Sequence, residues 1–464
     1  MQNFHIAKKT CGGMRKGMIW AALLCAALMA ACSSVPKTAR EDGFIGRVYA
    51  KLSVGDLNGA LSLFDTLSPE DAAKSGNLLA KASILYSLAR YDDAVIAAEN
   101  AQQAAKTTRE KIEAVFITAN IEGAKGNMAR QKTLLESILK EDGVFVPALN
   151  KLGDLAMSAD QYKNAISYYD RALAVEPKNL DALIGSAESL RFMRKPKEAF
   201  AKLSEAIASH PDSAQAYALR GRVLRESERL EDSLSDLDAA KKLDPKDYWI
   251  AYDRGRTLLA LYRKKEALEE FERAEKNNPS IFVSYVYSAG IRDDLGDHKK
   301  AMHDYETLIK LKPDYFFALE MLGVHYMREK RFAEAREAFK AAFARSPQSY
   351  NYALLAVING LYAGDQHSQY KPFIEETMRK IERTKPEYSI LRMFYDFSGE
   401  ADVSRRTSTE KDSRIKASNL FYLASYYDVR GASGLAEKYF AEYKDLQRRD
   451  TTEWRIFEWV KENG

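Results

Sequence analysis

Six prolines, Pro177, Pro211, Pro245, Pro279, Pro313 and Pro347, follow one another at 34-residue intervals without a slip, and they are half of the twelve in the chain. Proline removes a backbone donor and ends the helix before it, so a spacing this regular commits the chain to one repeated helical unit. The columns between the prolines keep the same register. Small residues recur at Ala165, Ala199, Ser233, Ala267, Ala301 and Ala335, and large ones four residues later at Tyr169, Leu203, Leu237, Phe271, Tyr305 and Phe339. A second small column runs through Ala172, Ala206, Ala240, Ala274 and Ala342, with Leu308 in its fifth place. Residues 146–349 thus hold six units of 34 residues.

A 34-residue period with these columns resembles the tetratricopeptide-repeat (TPR) family, whose unit is a pair of antiparallel helices. The resemblance implies an all-α fold, a right-handed TPR α-solenoid of antiparallel helix hairpins. Leu152-Gly153, Arg220-Gly221, Arg254-Gly255 and Leu322-Gly323 put a glycine on the first helix where the second must cross closely. The alanine of the second helix is expected to face that glycine, and the large residue to fill the layer between repeats. Residues 43–145 read as divergent TPR-like hairpins, clearest over 75–108 with Tyr91, Ala94, Ala98 and Ala101. On the other side, 350–400 reads as a divergent helical hairpin and 401–416 as a charged, Ser/Thr-rich linker. Residues 417–464 read as a last hairpin, with Gly431, Ala436 and Phe440 at the expected offsets, followed by a capping helix. Trp454, Phe457 and Trp459 on that helix are expected to close the end of the array, as terminal repeats must; anchoring a partner is their other use.

Residues 1–31 carry the three parts of an export signal: Arg15 and Lys16, an apolar run from Met18, and small residues at the end. The run is short for a membrane span, which needs roughly 20 apolar residues. Its end, Leu28-Met29-Ala30-Ala31-Cys32, resembles a bacterial lipobox, which implies a lipid on Cys32 and a short tether over 32–42. Ser33 is not the aspartate of the inner-membrane retention rule, so the same resemblance implies the periplasmic face of an outer membrane. Cys11, Cys25 and Cys32 are the three cysteines, so cleavage before Cys32 leaves one thiol and no disulfide.

Charge and motifs narrow the function. Lys8, Lys9, Arg15 and Lys16 are the charged residues of 1–31, and without them 66 basic residues face 66 acidic ones. A neutral body has no field to gather nucleic acid, and none is expected as a partner. The sequence has no Gly-x-Ser-x-Gly elbow, no phosphate loop ending in Gly-Lys-Ser/Thr and no His-Glu-x-x-His helix, so neither an enzyme nor a cofactor is expected. His298 and His303 are five apart and diverge on one helix, and Asp293-Asp294 reads as a solvated helix end, so no metal site is expected either.

At about 100° per residue, positions 4, 7, 8 and 11 of each first helix form the packing stripe and positions 2, 5, 9 and 12 lie opposite. In TPR proteins that opposite stripe lines the concave groove. Here it passes from acidic, with Asp154, Asp181 and Glu188, to arginine and aromatic, with Arg191, Arg222, Arg225, Trp249, Tyr252 and Arg256. It ends apolar, with Val283, Val286, Phe317, Val324 and Met327. Arginine forks bind carboxylates and aromatic faces take apolar groups, so these residues form the candidate groove for a protein or peptide. The expected function is a membrane-anchored scaffold or adaptor in the cell envelope. The other reading is an accessory protein that holds a small molecule or docks a solute receptor for transport; oligomeric state is left open.

Overall fold

The computed structural model describes residues 43–463, with side chains to Phe457. The export signal, Cys32 and the tether, and the side chain of Trp459, lie outside the described residues. The described chain is helical throughout, and none of its helices is long and apolar enough to cross a membrane. It forms two compact units that divide between Leu243 and Asp244.

In the first unit, short helices Phe44–Ser53, Leu57–Ser62 and Pro69–Ala72 and the 3-10 turn Leu63–Thr66 replace a full hairpin. Phe44 and Phe64 meet edge to face at 5.1 Å, and Val48, Ala60 and Ile84 complete their core. Five hairpins follow: Ser75–Ser87 with Tyr91–Ala104, Thr108–Ala124 with Met128–Glu141, Val146–Ser158 with Tyr162–Val175, Leu180–Phe192 with Pro196–Ser209, and Ala214–Glu226 with Leu230–Leu243. The second unit continues the same grammar with Tyr248–Ala260 and Lys264–Asn277, Phe282–Asp294 and His298–Leu311, Phe316–Arg328 and Phe332–Arg345, and Tyr350–Tyr362 and His367–Lys380. Pro386–Asp396 and Glu400–Thr409, Ser413–Val429 and Ser433–Asp445, and the helix Thr452–Asn463 end it.

Local chemistry starts and ends these helices. Asn179, Ser213 and Asp247, the last residues of their units, cap the next first helix by accepting the backbone N–H of Ala182, Ala216 and Ile250. The starts after Pro279, Pro313 and Pro347, at Ile281, Tyr315 and Ser349, have no side-chain cap. Within the hairpins the turn residue is left-handed, at Asp160, Arg194, Glu228, Tyr262, Gly296 and Lys330. Only Gly296 takes that conformation without a steric cost.

The columns are the core. Ala165, Ala199, Ser233, Ala267, Ala301 and Ala335 have no exposed surface, and the large residues four later are no more than 3 % exposed. The structure revises one detail of the crossing. A methyl group on Gly153, Gly221, Gly255 or Gly323 would lie 2.5–2.8 Å from Tyr169, Leu237, Phe271 or Phe339, so the large residue itself sits on the glycine. Burying each such side chain is worth roughly 1.5–3 kcal/mol. The buried clusters each draw on successive hairpins, for example Leu183 to Val223, so a hairpin is stable through its neighbours.

The linker expected at 401–416 is instead mostly helix. Glu400 and Asp402 stand in its first turn, Val403 and Thr407 are buried one turn apart, and Ser404 hydrogen-bonds Tyr439 at 2.8 Å. The apolar face is two residues wide, and burial against the next hairpin outweighs the poor helix propensity of its serines and threonines.

Candidate functional site

The residues of the stripe read from the sequence differ in burial and pairing from one repeat to the next. In the first unit Arg191 is satisfied: its guanidinium lies 2.9 Å from Glu226 and 3.7 Å from Glu188, stacks over Phe192 at 4.2 Å, and its side chain is 9 % exposed. Glu188 therefore serves Arg191. Arg222 and Arg225, on Ala214–Glu226, are half-buried.

In the second unit Tyr248–Ala260 brings Trp249, Tyr252 and Arg256 to one face, all half-exposed. Trp249 meets Tyr252 edge to face at 5.6 Å, and Tyr252 leans on Phe271 and Tyr287 at 6.0 Å each. The Arg256 guanidinium rests 5.8 Å from both the Tyr252 and Tyr287 rings. No carboxylate pairs with it among the described residues. Tyr287 stacks on the buried Phe271 at 5.0 Å, which ties the wall to the core. It occupies position 6 of its unit, outside the stripe read from the sequence, and only its aromatic character next to Val286 signals it.

Val283 and Val286 are half-buried: Val283 packs on Ala251, Ala274 and Ile281, and Val286 on the cluster around Ala289 and Tyr305. Phe317 stays 37 % exposed. Val324 and Met327, expected in the open groove, are buried at 0 % and 6 %. Two neighbours contribute: the helix Thr452–Asn463 lies against Phe316–Arg328, and Asn359 of Tyr350–Tyr362 reaches the Met327 sulfur at 3.6 Å. Thr452 donates to Glu320 Oε1 at 2.5 Å, Arg455 reaches the Met321 sulfur at 2.9 Å, and Arg328 donates to the Arg455 carbonyl at 3.3 Å. Trp454, Ile456 and Phe457 join Val324 and Met327 in one core cluster. Glu320 also accepts from Tyr352 at 2.7 Å, and Tyr422 donates to Glu453 at 2.9 Å. Burial, helped by the nearby Glu320 and opposed by the Tyr422 hydrogen bond, pushes the Glu453 carboxyl above its usual range.

Asp293 is likewise not a solvated helix end. Its side chain is 17 % exposed and gathers His325, His298 and the Tyr305 hydroxyl. Burial would raise this carboxyl, but the contacts from His325, Tyr305 and His298 prevail and hold it below the usual carboxylate range. The chain therefore brings His298 to a partner 27 residues away, His325, and not to His303.

These features define an array of helical hairpins whose second unit presents a half-exposed aromatic and arginine face. Tetratricopeptide-repeat family models match residues 156–223 and 291–350. Over these two segments the chain carries tetratricopeptide repeats, in register with the proline and alanine columns. Solved structures of TPR proteins resemble it. YrrB, described as a TPR protein with an unusual peptide-binding site, is 20 % identical, with 41 % of this chain and 95 % of that chain covered and a TM-score of 0.35. A TPR protein from Parabacteroides merdae is 19 % identical, with 53 % and 96 % covered and a TM-score of 0.42. The pilF protein of Pseudomonas aeruginosa is 20 % identical, with 45 % and 94 % covered and a TM-score of 0.41. No curated protein matches the sequence.

Proposed function

We propose that this chain is a non-catalytic, lipid-anchored scaffold of the bacterial cell envelope that grips an acidic, aromatic- or aliphatic-rich protein segment on the inner stripe of its second unit. The observation that carries the reading is Arg256 held over Tyr252 and Tyr287 beside Trp249, with Phe317 exposed further along. A guanidinium that already rests on aromatic rings and pairs with no carboxylate offers its fork to an incoming one, while the rings take the neighbouring apolar side chain. The chain's own helix on Glu320, Val324 and Met327 supports the same recognition chemistry, since that face holds an amphipathic helix through aromatic and carboxylate contacts. The open part of the stripe is then left for the partner.

The reading is tested by capture from solubilised envelope with wild-type protein and with Arg256→Glu. Reversing a charge in a water-poor interface costs up to several kcal/mol of affinity. The fold loses two cation–π contacts, about 1–2 kcal/mol together. A partner recovered by the wild type and absent with the folded variant supports the site; undiminished capture moves it elsewhere. The anchor rests on the lipobox resemblance at Cys32. Cys32→Ser should leave the protein folded and shift it from the membrane to the soluble fraction, and a variant that stays with washed membranes refutes the anchor.

A further inference from the structure

We propose that Asp293, His298 and His325 form a three-ligand site for a divalent first-row transition ion of the zinc class, a property separate from partner binding in the groove. The three residues come from Phe282–Asp294, His298–Leu311 and Phe316–Arg328, so the site would join two consecutive hairpins. One ligand atom from each lies within 4.8 Å of the others. His325 Nε2 stands 3.0 Å and His298 Nδ1 3.4 Å from Asp293 Oδ1. Ligand atoms bound tetrahedrally to zinc at about 2.0–2.1 Å are about 3.3 Å apart, so two of the three edges already have the required length.

An independent observation points the same way. The His325 side chain is 3 % exposed, and its Nε2, although 3.0 Å from the carboxylate, is out of line for a hydrogen bond and has no such partner among the described residues. A buried ring nitrogen that stands beside a carboxylate without an aligned hydrogen bond carries a cost that an ion in this position removes. Tyr305 donates to Asp293 Oδ2 at 2.8 Å, which leaves Oδ1 directed to the histidines, the kind of outer support that orients a ligating carboxylate. Imidazole with one carboxylate suits zinc, nickel or copper, whereas magnesium and calcium prefer oxygen alone.

Access is graded across the three residues. His325 is enclosed, Asp293 nearly so, and the His298 side chain is 46 % exposed, so an ion enters and keeps an open position on the His298 side. One group competes: Arg328 Nη1 lies 3.3 Å from His298 Nδ1. That contact uses the same lone pair as an ion would, and the guanidinium must swing away on binding. Arg328 is thus a built-in brake on affinity. The three ligands were invisible as a set in the sequence because they belong to different helices, with His325 32 residues after Asp293.

The test uses the full-length protein, purified without a histidine tag and stripped with chelator. Zinc is titrated calorimetrically, and cobalt is followed by its visible absorption, which distinguishes tetrahedral from octahedral coordination. One zinc per chain, an intense tetrahedral cobalt spectrum and a rise in Tm are expected. His298→Ala, at an exposed position, should keep the fold and lower zinc affinity at least tenfold, Asp293→Asn should do likewise, and Arg328→Gln should raise it. A blank titration with folded wild type overturns the proposal. So does binding that His298→Ala leaves unchanged, because the ion would then sit elsewhere.

Discussion

Trp454→Ala tests whether the helix Thr452–Asn463 is part of the core or a loose cap. Trp454 is 5 % exposed and lies 5.8 Å from the Tyr443 ring and 5.6 Å from that of Phe457. Truncating a buried aromatic of this size to alanine costs about 3–5 kcal/mol. The indole N–H, however, is buried without a hydrogen-bond partner among the described residues. Removing such a donor returns about 1–3 kcal/mol, which brings the net loss to about 2 kcal/mol. For a unit of 150–250 residues each kcal/mol moves Tm by about 2–4 °C, so a fall of about 4–8 °C in the circular-dichroism melt is expected. Trp454→Phe, which keeps most of the ring and discards the orphan donor, should stay within about 1 kcal/mol of wild type. Hydrogen exchange gives the local readout: protection should fall together at 452–457 and at 319–328, because the two segments share one cluster. An alanine variant with an unchanged melt and unchanged exchange would show that the helix does not hold the inner face, and Val324 and Met327 would then need another cover.

Two further expectations concern the core. Burial first, then Asp304 and Glu272, push the Glu275 carboxyl to about 7 against the Ser288 hydrogen bond and Arg292. The folded state therefore holds a proton that the unfolded chain releases near pH 4.5, so stability is full below that pH and falls as pH rises towards 7. Glu275→Gln should be more stable than wild type at pH 8, by up to about 3 kcal/mol, and indistinguishable at pH 4 in urea titrations; equal gains at both would refute the assignment. Ala267→Trp places an indole where no surface is exposed, and overpacking of this kind costs about 1–3 kcal/mol or more, read as a lowered Tm.

What the sequence made legible follows from the range of the signal. The 34-residue register fixes helix bounds because its determinants are local: Asn179, Ser213 and Asp247 cap, prolines stop, and small and large residues four apart decide which face is buried. The segment 401–416 escaped because its buried face is Val403 and Thr407 alone, too little to outweigh a polar composition until the neighbouring hairpin is in place. The inner stripe was legible as a face but not as a state. Glu320, Val324 and Met327 look the same in sequence whether a partner or the chain's own helix covers them, and the residue that meets Glu320, Thr452, lies 132 positions away. The apolar character of Val324 and Met327, read as an open groove for a partner, goes instead with burial inside the chain itself. Trp249, Tyr252 and Arg256 carry the same signal without an intramolecular cover as complete as that one, since each stays half-exposed. The two faces of this unit differ in cover: the chain's own aromatic helix lies on the one near Met327, while Trp249, Tyr252 and Arg256 stay half-exposed, the face that the proposed partner would occupy.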